Sequence, residues 1–197
     1  MTTEIEVKAH VHDSEALRVL LCEKAEYSGS FEKEDTYWFF APELRTLAVP
    51  LPAPISQVRV RREKRILPDG SDVSATLATY KIKEVRDGIE VNNELEFEVN
   101  PGPEFECFLE TMGFKPGISK RKRGWLFSRE EINAELVEVG KLGWFIELEI
   151  LAASMEAGSQ EKIVAEGRKK LLDFLAVLGI GREAIESRYY TEMLTEG

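Results

Sequence analysis

Carboxylates and cations recur at every second residue in several short segments of this chain. Glu4, Glu6 and Lys8 alternate with Ile5 and Val7; Glu94, Glu96 and Glu98 alternate with Leu95 and Phe97; Glu147 and Glu149 alternate with Ile146 and Leu148. Others carry bases at the same period: Arg59 and Arg61, Lys81 and Lys83, Lys120 and Lys122. A two-residue period is that of a β-strand, so each set projects from one strand face. Surface ion pairs laced across a solvated sheet are the plain reading, and each contributes little. Segregation by strand argues against it, because cross-strand pairing does not require one sign to fill a whole face. Carboxylates bind hard cations through oxygen, and Lys and Arg bind phosphate oxygens. A cavity lined by both suits a metal–polyphosphate complex.

The elements that must carry these residues can be read along the chain. Strands are expected at 3–11, 30–40, 57–65, 76–84, 90–99, 118–128, 132–139 and 144–151, from alternation, aromatic content and turn signals. A helix capped by Asp13 or Ser14 runs to about Ala25; a second covers about 104–112 and is closed by Gly113. A third, 159–178, shows Ile163, Val164, Leu171, Leu172, Phe174, Leu175 and Leu178 at helical spacing. The tail at 182–194 adds a helical turn or two. Residues 41–56 hold four prolines (Pro42, Pro50, Pro52, Pro54) and form an insertion. Asp87-Gly88 marks a hairpin. No linker divides the chain, so 1–197 is expected to be a single domain with a C-terminal helical region at 159–194. The fold class is α+β: an eight-stranded antiparallel β-barrel with flanking helices. Its apolar strand faces point outward against the helices at 14–25 and 159–178, and its charged faces line the lumen.

Composition narrows the function. A net charge of −10 argues against a general nucleic-acid binder while leaving room for a locally basic cavity. The opening MTTEIEVKAH has neither the n-region nor the h-region of a signal peptide, and no apolar run reaches membrane-spanning length. Cys22 and Cys107 are expected as buried free thiols on helices, consistent with a reducing cytoplasmic location. His10 and His12 are expected at the surface rather than on a metal. Tyr189 and Tyr190 are expected to close one barrel end, and Trp38, Trp125 and Trp144 to pack. No nucleic acid or membrane partner is expected; a homodimer would use a sheet edge or the 41–56 segment.

Glu4-Ile5-Glu6-Val7-Lys8 resembles the Glu-x-Glu-x-Lys opening of the CYTH superfamily, the triphosphate tunnel metalloenzymes. Later segments resemble that family in order: Asp35-Thr36-Tyr37, Gln57-Val58-Arg59-Val60-Arg61, Thr79-Tyr80-Lys81, Glu94-Leu95-Glu96, Met112-Gly113-Phe114 with Lys120-Arg121-Lys122, and Leu142-Gly143-Trp144-Phe145-Ile146-Glu147-Leu148-Glu149. The tail Tyr189-Tyr190-Thr191-Glu192-Met193-Leu194 resembles the Ser-Tyr-x-x-Leu-Leu ending of class IV adenylyl cyclase-like members. Two positions depart: Asn92 stands where the family has a basic residue, and the family's acid before its Leu-Gly signature is either Glu135 or Glu138 here.

The resemblance implies a barrel in which Arg59, Arg61, Lys81, Lys120 and Lys122 bind the triphosphate. It implies that Glu4, Glu6, Glu147 and Glu149 bind Mg²⁺ or Mn²⁺, with Glu94, Glu96 and Glu135 helping and Lys8 acting on phosphate or on its neighbours. The implied activity leans to adenylyl cyclase, ATP giving cyclic AMP and pyrophosphate. Alternatives are a triphosphatase acting on tripolyphosphate, thiamine triphosphate or a nucleoside triphosphate, and a non-catalytic polyphosphate- or nucleotide-binding module.

Overall fold

The computed structural model describes residues 2–40, 57–86, 89–153 and 157–195; the side chains of 2, 57, 81–86, 153 and 157–160 are not among those described. The 41–56 insertion and the Asp87-Gly88 turn therefore lie outside the described residues. Eight strands run in the order β1 (Thr2–His10), β2 (Glu26–Phe40), β3 (Gln57–Ile66), β4 (Asp72–Arg86), β5 (Ile89–Glu98), β6 (Phe114–Arg129), β7 (Ile132–Val139) and β8 (Gly143–Ala153). All pairings are antiparallel, and the sheet closes as β1-β5-β4-β3-β2-β6-β7-β8. Closure satisfies every strand on both sides and removes the exposed edges that an open sheet would present.

Strand parity decides which residues meet inside. Glu6 pairs with Glu149 and Lys8 with Glu147 across β1 and β8. Asp35 pairs with Arg61 on one side and Lys120 on the other, and Thr79 with Arg59 and Glu96. Because the side-chain period is two, each such pair shares a face, and here that face is the lumen.

The apolar parity points outward. Ile5, Val7, Ala9, Ile146, Leu148 and Ile150 pack beneath α1 (Ser14–Lys24) and α3 (Ala157–Val177). Each of the valine, leucine and isoleucine side chains here, when fully buried, contributes on the order of 2 kcal/mol. Leu17 and Leu21 of α1 are four apart and face this core, while the Asp13 carboxylate caps the helix by accepting from Ala16 N at 3.0 Å. On α3, Leu171, Phe174, Leu175 and the following Leu178 supply the opposing stripe. Gly167 lets α3 approach β1, since a Cβ there would stand 2.6 Å from Ile5 Cδ1. On another sector, α2 (Gly102–Thr111) sets Leu109 and Phe105 over Trp38, Val58 and Val60. The inward-charged, outward-apolar arrangement expected from the sequence is the one observed.

The last helix, α4 (Tyr190–Thr195), covers one end of the barrel, where Tyr190 and Met193 join Phe145 and Val139 in an apolar cluster. No described helix is long and apolar enough to cross a membrane.

The expectation of buried thiols is corrected: Cys22 and Cys107 are both free and exposed. Each has apolar neighbours in sequence yet occupies the wrong helical angle. Leu17 and Leu21 take the inner stripe of α1, and Cys22 falls about 100° beyond Leu21. On α2 the stripe belongs to Phe105 and Leu109, with Cys107 between them on the opposite side.

Candidate functional site

The barrel encloses a cavity of about 470 Å³. Glu4, Glu6, Lys8, Arg59, Arg61, Glu94, Glu96, Lys120, Lys122, Glu135, Glu147 and Glu149 all line it. Lys81 sits opposite Glu94 in the β4–β5 register, and its side chain lies outside the described residues. The choice between Glu135 and Glu138 is resolved by parity. Glu135 faces the lumen and bonds Lys33, whereas Glu138 faces outward and bonds Arg123. Parity separates the basic run likewise: Lys120 and Lys122 are buried, while Arg121 and Arg123 are 80% and 71% exposed. A larger groove of about 840 Å³ skirts β2, β3 and β6. The outward charges there pair with one another, Arg121 with Glu34 and Arg123 with Glu138.

The cationic wall is held in place from behind. Arg61 donates to both oxygens of Asp35, Nε at 2.7 Å and Nη2 at 3.0 Å, and Lys120 Nζ lies 3.4 Å from the same carboxylate. Burial alone would raise the Asp35 pKa; Arg61 and then Lys120 override it and hold the group well below the usual carboxylate range. Asp35 is thus a bracket, ionised at neutral pH, that aligns two cations without neutralising both. Arg59 donates to Thr79 at 3.0 Å and to Glu96 at 3.1 Å, and Thr79 donates to Glu96 at 2.7 Å.

Lys122 Nζ donates to both oxygens of Glu147, at 2.7 and 2.8 Å. Burial opposes both charges, yet their attraction wins: Lys122 is raised and Glu147 lowered from their ordinary values. Lys8, also buried, donates to Glu90 at 2.8 Å. Asn92 donates weakly to Glu4 at 3.3 Å and to Glu90 at 3.4 Å. Where the family that the sequence resembles carries a cation, this chain therefore has a neutral amide between two acids.

The acidic wall behaves differently. Glu149 is pushed well above the carboxylate range, first by burial, then by the charges of Glu4 and Glu135, with a hydrogen bond to Glu4 favouring its protonated form. Crowded carboxylates with hard oxygen donors are what a divalent cation relieves, so the chemistry of Glu4, Glu6 and Glu149 is compatible with one. Among the described residues no three acids already converge into a metal cage. The carboxylates are distributed around one cavity instead.

Several lumen residues were not singled out by pattern reading. Lys33 shares a parity on β2 with Asp35 and Tyr37, but Glu32 and Glu34 put charge on both parities there and hide the alternation. Glu63 and Arg65 continue the inward face of β3 beyond Arg61, and Glu63 is held low against its burial by Lys33 and Arg65. Tyr190 was expected at a barrel end and is there, but its ring also forms part of the cavity wall. His10 and His12 behave as expected of surface residues, His10 bonding Glu186 at 3.2 Å with its side chain 43% exposed. Trp38 packs under α2, and Trp125 stacks on Trp144 at 5.4 Å.

A closed eight-stranded antiparallel barrel with a lumen lined by both signs of charge is the triphosphate-tunnel fold that the sequence led one to expect. No protein-family model matches the sequence, and no curated protein matches it. Solved structures do. The PH1012 protein of Pyrococcus horikoshii OT3 is 28% identical, covering 96% of this chain and 98% of its own, with a TM-score of 0.69. The PH1819 protein of the same organism is 23% identical over 98% of both chains, with a TM-score of 0.76. A candidate adenylyl cyclase from Hippeastrum with a dominant triphosphatase activity is 15% identical, covering 100% of this chain and 96% of its own at a TM-score of 0.64.

Proposed function

We propose that this protein is a divalent-cation-dependent enzyme that binds a triphosphate in its tunnel and cleaves a phosphoanhydride bond. The observation that carries the reading is the division of one lumen into a braced cationic wall and a crowded acidic wall on which Glu149 is driven toward protonation.

Roles follow from these surroundings. Arg59, Arg61, Lys81, Lys120 and Lys122 bind phosphate oxygens, the arginines through two donors and the lysines as point charges. Asp35 orients Arg61 and Lys120. An entering phosphate competes with Glu147 for Lys122, which frees a metal ligand as the substrate arrives. Glu4, Glu6, Glu147 and Glu149 hold Mg²⁺ or Mn²⁺, not all directly, since magnesium keeps several waters. The ion supplies stabilisation of charge on the attacking or leaving oxygens. Glu94, Glu96 and Glu135 order the surrounding water, and Lys8 sets the charge balance beside Glu90 and Glu147.

For the reaction itself we favour cyclisation of a nucleoside triphosphate, the substrate's own 3′-hydroxyl attacking the α-phosphorus with loss of pyrophosphate. The C-terminal tail supports it, and so do Leu77, Leu151 and Tyr37, which add to the cavity lining the apolar and aromatic surface that a base requires. Hydrolysis of the terminal phosphate is the second reading, favoured by the triphosphatase activity of the Hippeastrum neighbour. Chromatographic analysis of products from ATP, thiamine triphosphate and tripolyphosphate, with Mg²⁺ or Mn²⁺, separates the two. Cyclic AMP with pyrophosphate is the expected outcome; orthophosphate without a cyclic nucleotide establishes the triphosphatase. Glu4→Gln should lower turnover at least 100-fold, on the order expected for loss of a metal ligand, with the fold intact by circular dichroism. Unchanged turnover in that variant, or equal phosphate binding with and without EDTA, would leave a binding module as the answer.

A further inference from the structure

The C-terminal segment is built into the tunnel through a sequence of specific contacts. Ile185 forms a β-bridge with Ala9, and Glu186 N donates to Lys8 O at 2.9 Å. The Glu186 carboxylate then accepts from Arg188 N at 2.9 Å, from Arg188 Nη2 at 2.7 Å and from His10 Nε2 at 3.2 Å. From this anchor α4 begins at Tyr190. Its ring meets Phe145 edge-on at 5.0 Å and lies 4.8, 5.1 and 5.2 Å from the ammonium groups of Lys122, Lys8 and Lys120. Three cations from two strands surround one phenol.

The Tyr190 hydroxyl is fully buried, and its only approach to an acceptor among the described residues, at Glu147, falls short of good hydrogen-bond geometry. It lies toward Glu147, whose two oxygens are already engaged by Lys122. A buried hydroxyl whose one nearby acceptor is shared with a lysine is under-satisfied, so its place in a lysine cluster points to a further acceptor that arrives with the ligand. Ammonium groups on this scale gather phosphate oxygens.

We propose that Tyr190 terminates the bound triphosphate: its hydroxyl donates to the innermost phosphoryl group, and its ring sets how far the chain enters. This rests on the tunnel reading above and adds to it a residue that fixes substrate register. Depth decides which phosphorus faces the nucleophile, so the same residue determines the chain length accepted.

Calorimetric titration with inorganic tripolyphosphate and tetrapolyphosphate, in EDTA and again in Mg²⁺, tests it. Tyr190→Phe removes only the hydroxyl and should weaken tripolyphosphate binding about ten-fold, the scale of one hydrogen bond to a charged acceptor. Tyr190→Ala removes the stop and should abolish the wild-type preference for tripolyphosphate over tetrapolyphosphate. Wild-type affinity in Tyr190→Phe, or no chain-length preference in the wild-type protein, overturns the assignment while leaving the tunnel reading standing. If the wild-type protein binds neither polyphosphate under either condition, both readings fall.

Discussion

Glu149 and Asp35 are both buried carboxylates in one lumen, and their neighbours push them in opposite directions. Asp35 faces Arg61 and Lys120 and stays ionised; Glu149 faces Glu4 and Glu135 and resists ionisation. A carboxylate whose folded pKa is raised contributes stability below its unfolded pKa and loses it as pH rises through the folded value. Metal-free protein should therefore lose melting temperature as pH rises above the ordinary glutamate range. Glu149→Gln removes that slope and, at neutral pH, should raise the metal-free melting temperature by roughly 2–4 °C, the shift expected per kcal/mol in a chain of this size. Saturating Mn²⁺ should raise the wild-type melting temperature more at pH 8 than at pH 6, and should have little effect on Glu149→Gln. Scanning fluorimetry over that range reads all three. A flat profile in EDTA would remove the case for an electrostatically crowded cation site.

Among the elements, the stretch from Ile185 to α4 depends on one carboxylate. Glu186 is held down to about 2, mainly by its hydrogen bond to Arg188, against burial and with help from His10. A depressed carboxylate contributes stability above its unfolded pKa and loses it as pH falls toward the folded value. Docking of α4 should thus weaken between about pH 4.5 and pH 2, the interval between ordinary and shifted values. The contribution is on the order of 2 kcal/mol after discounting for water at the half-exposed Arg188. Glu186→Gln should show the same loosening at neutral pH, seen as faster amide exchange in 185–195 while β1 stays protected; uniform exchange would mean that the helix is held by Met193 and Tyr190 alone.

The same segment shows how far sequence reading reaches. Strand alternation exposed the inward sets on β1, β3 and β8 because each places charge at every second residue between aliphatic ones, whereas the run 120–123 on β6 is charged on both parities and only the barrel divides it. Expected and observed bounds coincide at 132–139. The start of β2 was placed four residues late, since Glu26, Tyr27, Ser28 and Gly29 show no alternation and are ordered by pairing with β6. Lys33 escaped notice for a related reason: it sits among Glu32, Glu34 and Asp35, where both parities are charged. Tyr190 is recognisable as a phosphate-site residue only once the barrel brings residue 190 beside Lys8, Lys120 and Lys122, a meeting created by closure rather than by local pattern.

For the whole molecule, the acidic balance and the basic wall must be considered together. A chain with a net charge of −10 repels polyanions at its surface, so affinity for a triphosphate arises from the lumen and from the metal that accompanies the ligand. The two walls face each other across one cavity, so filling one side changes the cost of filling the other. Cation bound at Glu149 and Glu4 offsets the ligand's charge, and phosphate at Lys122 releases Glu147. Melting temperature should accordingly rise more with Mn²⁺ and tripolyphosphate together than the two separate shifts combined. At about 100 times the dissociation constant the ligand term alone is about 2.7 kcal/mol, or roughly 5–10 °C at this chain length. Arg61→Ala should lose most of the polyphosphate shift while keeping the Mn²⁺ shift, and Glu149→Gln should show the reverse. Strictly additive shifts in the wild-type protein would mean that the walls bind independently, and the tunnel would then be two sites rather than one.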